Sequence, residues 1–383
     1  MKYRMTCLTP TLVGDGSSLS PIDYMVWKDQ VNVLDQRRIF RLLARGSRLD
    51  GYLLQVKRAE KLDFASWGGF AQNFAGRRIP FEHPSISIHW QKQRAEFCHI
   101  PTFARDHAGP VLPGSALRGA LRTAWVAANL EDKAIEKLNA QMEERTMRRL
   151  GEAAEQKAMG GDPGRGVDPL KALSIADGHA ESSQFIVYLL RTASLVESRP
   201  GQLPSVGWRM SPRGTVEPRR ADDSTPAFAE MAAPGSVFTG AWSEKGFFRQ
   251  AEVTRSLGLR RAYDRESMMK SANQYAAVSL ETQRKYSRLA GLTVVEKNLE
   301  ELQLRLASLD GNACLLSIGW GGGLLGKSAW LKLEDESYRR LLSQLPFYAR
   351  AIRSGMPFPK TRRVVFQGNQ PAWLPGWVML EIH

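Results

Sequence analysis

Cysteine is scarce: Cys7, Cys98 and Cys314 are the only thiols in 383 residues, an odd number set too far apart for a disulfide framework. That excludes the small, disulfide-stapled class and suits a reducing compartment, so a cytoplasmic protein is expected. Long hydrophobic runs are missing too. No stretch approaches the ~18 uninterrupted apolar residues of a membrane helix, and Met1 to Cys7 carries charge without the apolar core of a secretion signal, so no membrane partner is expected. The longest uncharged run, Gly311 to Gly326, holds six glycines and reads as strand plus loop. Candidate metal ligands concentrate only at His83, His89, Cys98, His99 and His107. Their spacing matches no zinc knuckle, whose ligands pair two to four residues apart. Satisfied or solvated histidines are the reading, with no metal or other cofactor.

Acid is the remaining deficit. Against 53 Lys+Arg stand 39 Asp+Glu, a net charge of +14 and a pI near 9.8, which points to a polyanionic partner, nucleic acid before membrane. With 43% hydrophobic and 24% charged residues the chain is a folded one, and its length suggests two cores. The stretch Arg199 to Pro226, rich in Pro, Arg, Gly and Ser, is the candidate linker or protruding hairpin, which divides the chain into 1–198 and 199–383.

Strands are expected at Lys2 to Val13, Ile22 to Trp27, Ile86 to Trp90, Phe185 to Leu190, Val237 to Trp242, Cys314 to Ile318 and Trp377 to Ile382. Helices are expected between Leu34 and Arg48, from Pro113-Gly114-Ser115 onward, in the charged stretch Glu131 to Lys157, over Arg260 to Leu309 with a break near Gly291, and at Ser337 to Leu345. Gly160 to Pro169 reads as a loop. Strands interspersed with single helices in both halves indicate an α+β fold.

Gly321-Gly322-Gly323-Leu324-Leu325-Gly326-Lys327-Ser328 matches the phosphate-loop pattern of nucleotide hydrolases and follows an expected strand. Only 55 residues remain after it, without an Asp closing an apolar run to help hold Mg²⁺. The following AWLKLEDES looks like strand and turn, not the helix that should meet the phosphates. The glycines do let backbone N–H groups approach an anion, with Lys327 adding charge and Trp320 a stacking face; alone, the segment reads equally well as a tight turn with a core Trp.

A second constellation joins Gly114, Ser115, Arg118 and Arg122: a helix N-terminus with Ser115 as N-cap, and two arginines one turn apart. A capped surface helix would look the same. The third is Lys360-Thr361-Arg362-Arg363, cations suited to phosphate although such runs are usually solvated. Asp15 and Asp23 flank the first glycine loop, and Asp106 adjoins His107; none sits in a pattern recognisable as a cleavage site.

Four segments, LTPTLVGDGSSLSPIDY at 8–24, LPGSALRGALRTA at 112–124, SIGWGGGLLGKS at 317–328 and FPKTRR at 358–363, resemble in order those of the RAMP subunit that caps the guide RNA in type III-A (Csm-type) CRISPR effector complexes. The resemblance implies two ferredoxin-like (RRM-like) domains and a seat at the end of the RAMP filament, around the 3′ end of the crRNA. It also implies contacts to the adjacent RAMP subunit, to other subunits and to target RNA. It carries over Gly14, Gly16 and Ser18 as the first loop, Gly114 to Arg122 as the helix entry, and Gly319 to Lys327 as the terminal loop. Leu12, Ala116 and Gly326 depart from the pattern, and Leu12 removes a possible acid/base group. The function expected is non-catalytic RNA binding and assembly in antiviral defence, with a RAMP endoribonuclease as the alternative and a nucleotide hydrolase third.

Overall fold

The computed structural model describes residues 1–44, 48–58, 61–62, 74–143, 151–161, 168–197, 203–210, 220–260 and 263–383. Residues 162–167 of the expected loop, and 198–202 and 211–219 around and within the expected linker, lie outside them.

Two antiparallel sheets organise this α+β chain. The larger runs Ala313–Ser317, Trp377–Ile382, Lys2–Cys7, Val237–Glu244, Gly178–Ser182, Gly109–Leu112 and Arg105–Asp106, with Leu173–Ile175 also pairing to Val237–Glu244. The smaller runs Ser205–Trp208, Phe185–Val196, Thr361–Gln367 and Gln370–Trp373, with Ala227–Ala232 also pairing to Phe185–Val196. Each sheet draws strands from both sides of residue 198. The opening strand, for example, pairs with the closing one, Tyr3 opposite Ile382. A three-stranded ribbon, Tyr24–Trp27, Gln30–Leu34 and Ala75–Pro80, packs with helices Gln36–Leu43 and Arg48–Arg58 around Met25, Ile39 and Tyr52.

Strand residues alternate between two cores because successive side chains leave opposite faces. Along Phe185–Val196, Tyr188 and Leu190 join one core while Val187, Leu189 and Leu195 join the other. A helical hairpin, Arg265–Leu289 and Thr293–Ala307, breaks at Gly291 as expected. It pins an edge strand of each sheet through asparagine. Asn273 donates to the Ala313 carbonyl (3.0 Å) and accepts from the Leu315 N–H (3.1 Å), while Asn298 donates to the Ala372 carbonyl (2.8 Å). These bonds satisfy backbone groups that an edge strand otherwise leaves open.

Several expectations need correction. The opening strand stops at Cys7, and 8–13 continue as irregular chain with a single bridge from Thr11 to Ala232. Ile86 to Trp90 is not a strand but part of the helix Ser85–Lys92. Its apolar spacing satisfied both periods. Ile86 and Trp90, four apart, are buried, whereas Ile88, which a strand would have placed beside them, is 52% exposed. The stretch after Ser328 forms neither helix nor strand until Glu336–Gln344, and a further helix, Pro346–Arg353, follows. Part of the expected linker is the strand Ser205–Trp208.

Candidate nucleic-acid groove

The glycine loop leaves the edge strand Ala313–Ser317 and folds back against the first loop of the chain. At Gly319 φ is +74°, and a Cβ would stand 2.1 Å from the Leu12 carbonyl oxygen. Only glycine permits that approach. The next N–H, of Trp320, donates to the same oxygen at 2.8 Å. Leu324–Gly326 forms a 3-10 turn, and the Tyr275 hydroxyl from the long helix lies 2.6 Å from the Leu325 carbonyl oxygen and 2.7 Å from that of Ser328. The loop is thus held at its entry by Leu12 and at its exit by Tyr275.

Two cavities flank it. One, of about 360 Å³, is bounded by Gly321, Gly322, Gly323, Lys327 and Arg363, with Thr192 and Arg209. The other, of about 270 Å³, lies between the loop and the face of helix Gly114–Asn129 carrying Ala116, Gly119, Ala120 and Thr123. Lys327 borders both. It is exposed and forms no ion pair among the described residues. Arg363 stacks its guanidinium 3.7 Å from the Trp320 ring centre, and among the described residues it too pairs with no carboxylate. Burial lowers its pKa. A desolvated cation without a counter-charge, facing a groove lined by glycine backbone, suits an anion that has shed part of its water.

Not every expected residue offers the groove a free charge. Arg362, the strand neighbour of Arg363, also borders the cavity of about 360 Å³, but its side chain is engaged inward: it is 8% exposed, bonded to the Gln283 side chain and to the carbonyls of Pro359 (2.6 Å) and Thr361 (2.9 Å), with its guanidinium 4.1 Å from the Tyr286 ring centre. The Lys360 carbonyl accepts from the Leu195 N–H and the Tyr286 hydroxyl. Arg122 pairs with Glu155 (2.9 Å) and Asp168 (2.6 Å), and Arg118 donates to the Leu170 carbonyl. At the N-terminus of helix Gly114–Asn129 the expected cap is replaced. Pro113 holds the N-cap position, Ser115 is exposed, and the Gly114 N–H donates to the Asp177 carboxylate at 2.8 Å. A carboxylate of the protein therefore already faces the dipole there. Gly14, Gly16 and Ser18 run along the segment 100–104, where Ser18 pairs with Pro101. They touch the glycine loop only through their neighbours Leu12 and Val13.

The sequence did not single out Thr192, Arg209 or Thr123, and Ala116, Gly119 and Ala120 entered it only within the carried-over segment Gly114 to Arg122, not together with Thr123 as one helix face. That face carried a readable signal, small residues at i, i+3, i+4 and i+7. Thr192 and Arg209 enter through strand pairings, Thr192 opposite Arg363.

The nucleotide-hydrolase pattern at 321–328 lacks its architecture. No helix begins at Lys327, and the Ser328 hydroxyl donates to the Trp330 carbonyl at 2.9 Å instead of standing free for a metal. The Ser17 side chain and then the Ser17 N–H, which donates to Asp15 at 2.8 Å, hold the Asp15 carboxyl below the usual range, and Asp23 accepts from the Ser20 N–H and hydroxyl. Both close their own turns.

A sequence model of the RAMP superfamily matches residues 4–325. A relative in Methanocaldococcus jannaschii, named CRISPR system Cms protein Csm5, is 20% identical over 419 residues, spanning 100% of this chain and 89% of that protein. A chain in the cryo-EM structure of a Csm–crRNA–target RNA ternary complex of a type III-A CRISPR-Cas system is similar with a TM-score of 0.67 at 19% identity, covering 100% of both chains. The crystal structure of T. onnurineus Csm5 is similar with a TM-score of 0.61 at 16% identity, covering 98% of this chain and 99% of that one.

Proposed function

This chain belongs to the RAMP superfamily, and from that membership we propose that it is the non-catalytic subunit that holds guide RNA in a type III-A CRISPR interference complex, capping the crRNA 3′ end at the end of the RAMP filament. Its partners in this reading are crRNA, target RNA, the adjacent RAMP subunit and other subunits of the complex, in the cytoplasm. No helix among the described residues is long and apolar enough to cross a membrane. The two sheets would be those of two RRM-like units, each completed by strands from the other half of the chain.

The observation that carries the reading is convergence. The glycine loop, the small-residue face of helix Gly114–Asn129 and Arg363 meet around Lys327, from three segments of the sequence that lie about 250 residues apart at the extremes. Such a groove offers amides and cations to a ribose-phosphate strand and little to a particular base. In this reading Gly14, Gly16 and Ser18 would extend the track along the first loop, and Lys360, between Pro359 and Thr361 of the cavity wall, would add charge beside it. The endoribonuclease alternative has less support, because Asp15 and Asp23 are engaged in their own turns and a carboxylate held below its usual range is a weaker base.

Counterion release supplies the test. Affinity of the purified chain for single-stranded RNA should fall linearly in log–log form with salt, and Lys327→Ala should make that slope shallower by about 0.7, the value for one phosphate contact on a single strand. The variant should keep the wild-type melting temperature, and neither protein should hydrolyse nucleotide. Affinity independent of salt would overturn the reading.

A further inference from the structure

A third cavity, of about 560 Å³ and larger than either of the two flanking the glycine loop, opens on the far side of Lys327. We propose that it seats the base of the strand's 3′-terminal nucleotide. The inference rests on the RNA-binding reading and adds to it a subsite of different chemistry. Three observations support it.

The first is continuity. Lys327 borders all three cavities, and Thr123 borders both this one and the cavity beneath the glycine loop. A strand whose phosphates follow the glycine loop therefore reaches this space without leaving the protein surface.

The second is chemistry. Val126, Leu130 and Ile135 give apolar walls, while polar groups stand among them with open capacity. The Thr123 hydroxyl has committed its proton to the Gly119 carbonyl (3.0 Å), so its lone pairs can accept from a base amino or imide group, whereas the Ser328 hydroxyl, donating to the Trp330 carbonyl (2.9 Å) and accepting from the Trp330 N–H (3.2 Å), is engaged in its own turn. Lys327 can donate to a base oxygen. Trp330 forms another wall, 7% exposed, and its indole N–H has no acceptor among the described residues. A volume of this size falls within the roughly 300–1,000 Å³ of small-ligand sites, and its lining is mixed: Glu152 and Glu155 stand with Arg122 beside the apolar walls, and their negative charge suits an uncharged base better than another phosphate.

The third is closure. Helices Ala134–Glu143 and Glu336–Gln344 form the far wall and are tied together, Asn139 donating to the Ser337 carbonyl (2.8 Å), Gln344 to Asn139 (3.3 Å) and Arg340 to Glu143 (2.5 Å). A chain entering past Lys327 meets this wall, which favours an end over a through-running strand.

The test compares two single-stranded RNAs, identical except that the 3′-terminal nucleotide of one is abasic, binding to the full-length chain. The abasic RNA should bind about tenfold more weakly, the lower part of the range for one stacked base. Ala154→Trp, which fills the cavity from the wall opposite the groove, should lower affinity for the intact RNA by the same factor and leave the abasic RNA unchanged. Leu138→Trp fills it from the neighbouring helix and serves if the first variant fails to fold. Equal binding of both RNAs to the wild-type chain overturns the proposal by itself, whatever the variants do. If Lys327→Ala still weakens binding in that case, the RNA-binding reading stands and only the subsite falls. Filling variants that keep RNA affinity but lose assembly with other subunits would also overturn it, assigning the cavity to a side chain of a neighbouring protein.

Discussion

In the strand Thr361–Gln367 the side chains of Arg362 and Arg363 leave on opposite faces, so two adjacent guanidinium groups meet different fates. Arg363 reaches the glycine loop and stacks on Trp320. Arg362 enters the interior, where Gln283, two carbonyls and the Tyr286 ring surround it. Removing the inner arginine leaves those acceptors buried without a donor, so Arg362→Met should cost about 2–4 kcal/mol of stability, read as a lowered urea midpoint. Arg363→Met should leave the midpoint nearly unchanged and weaken RNA binding instead. The sequence showed the basic run but not this division, because the strand's phase relative to the core depends on its pairing to Phe185–Val196, about 170 residues away. Trp320 is a similar case: its aromatic face was legible, while the cation that covers it was not.

At the scale of elements, helix Gly114–Asn129 was legible from Leu117, Leu121 and Trp125, all buried as one face. Its cap was not, since Asp177 comes from the connection between strands Leu173–Ile175 and Gly178–Ser182, 63 residues on, and no local pattern announces it. Helix Ser85–Lys92 was misread because a five-residue segment with apolar residues two and four apart fits either period. The small-residue face of Gly114–Asn129 leads to a prediction that separates stability from function. Gly119 sits inside the helix, and a Cβ there would meet nothing within 4 Å. Gly119→Ala should therefore stabilise the chain by about 0.5–1 kcal/mol, seen as a higher melting temperature. Gly119→Leu would project into the cavity under the glycine loop and should weaken RNA binding without unfolding the helix. A melting temperature lowered by the alanine would show that this face is packed more tightly than the structure indicates.

Across the whole molecule, the α+β class and most strands were readable from local pattern, but the way the two halves share both sheets was not. Lys2–Cys7 pairing with Trp377–Ile382 is a contact across nearly the full chain, set by the combined burial of Tyr3, Met5, Val378 and Leu380 and by no signal within either segment. The same shared interior fixes how the protein responds to alkali. Burial pushes the thiols of Cys7 and Cys314 up to about 12 from 9.0, and raises the phenols of Tyr3, Tyr24, Tyr188, Tyr263 and Tyr275 above 10.0. The unfolded chain releases these protons first, so their contribution to stability is complete below the unfolded values and is lost as pH climbs through the folded ones. Arg362 opposes this trend, since burial holds it at about 10 against 12.5 and favours the folded state as pH rises between those values. Arg105, Arg191 and Arg363, whose pKa burial also lowers, act with Arg362 toward 12.5, above the 9.0 and 10.0 at which the unfolded thiols and phenols release their protons, so the net slope above pH 9 is downward. The urea midpoint should therefore stay level to about pH 8.5 and fall progressively above about pH 9. A midpoint that held or rose at about pH 10.5 would mean that these thiols and phenols titrate in the folded protein as they do in solution, and that the core joining the two halves admits water.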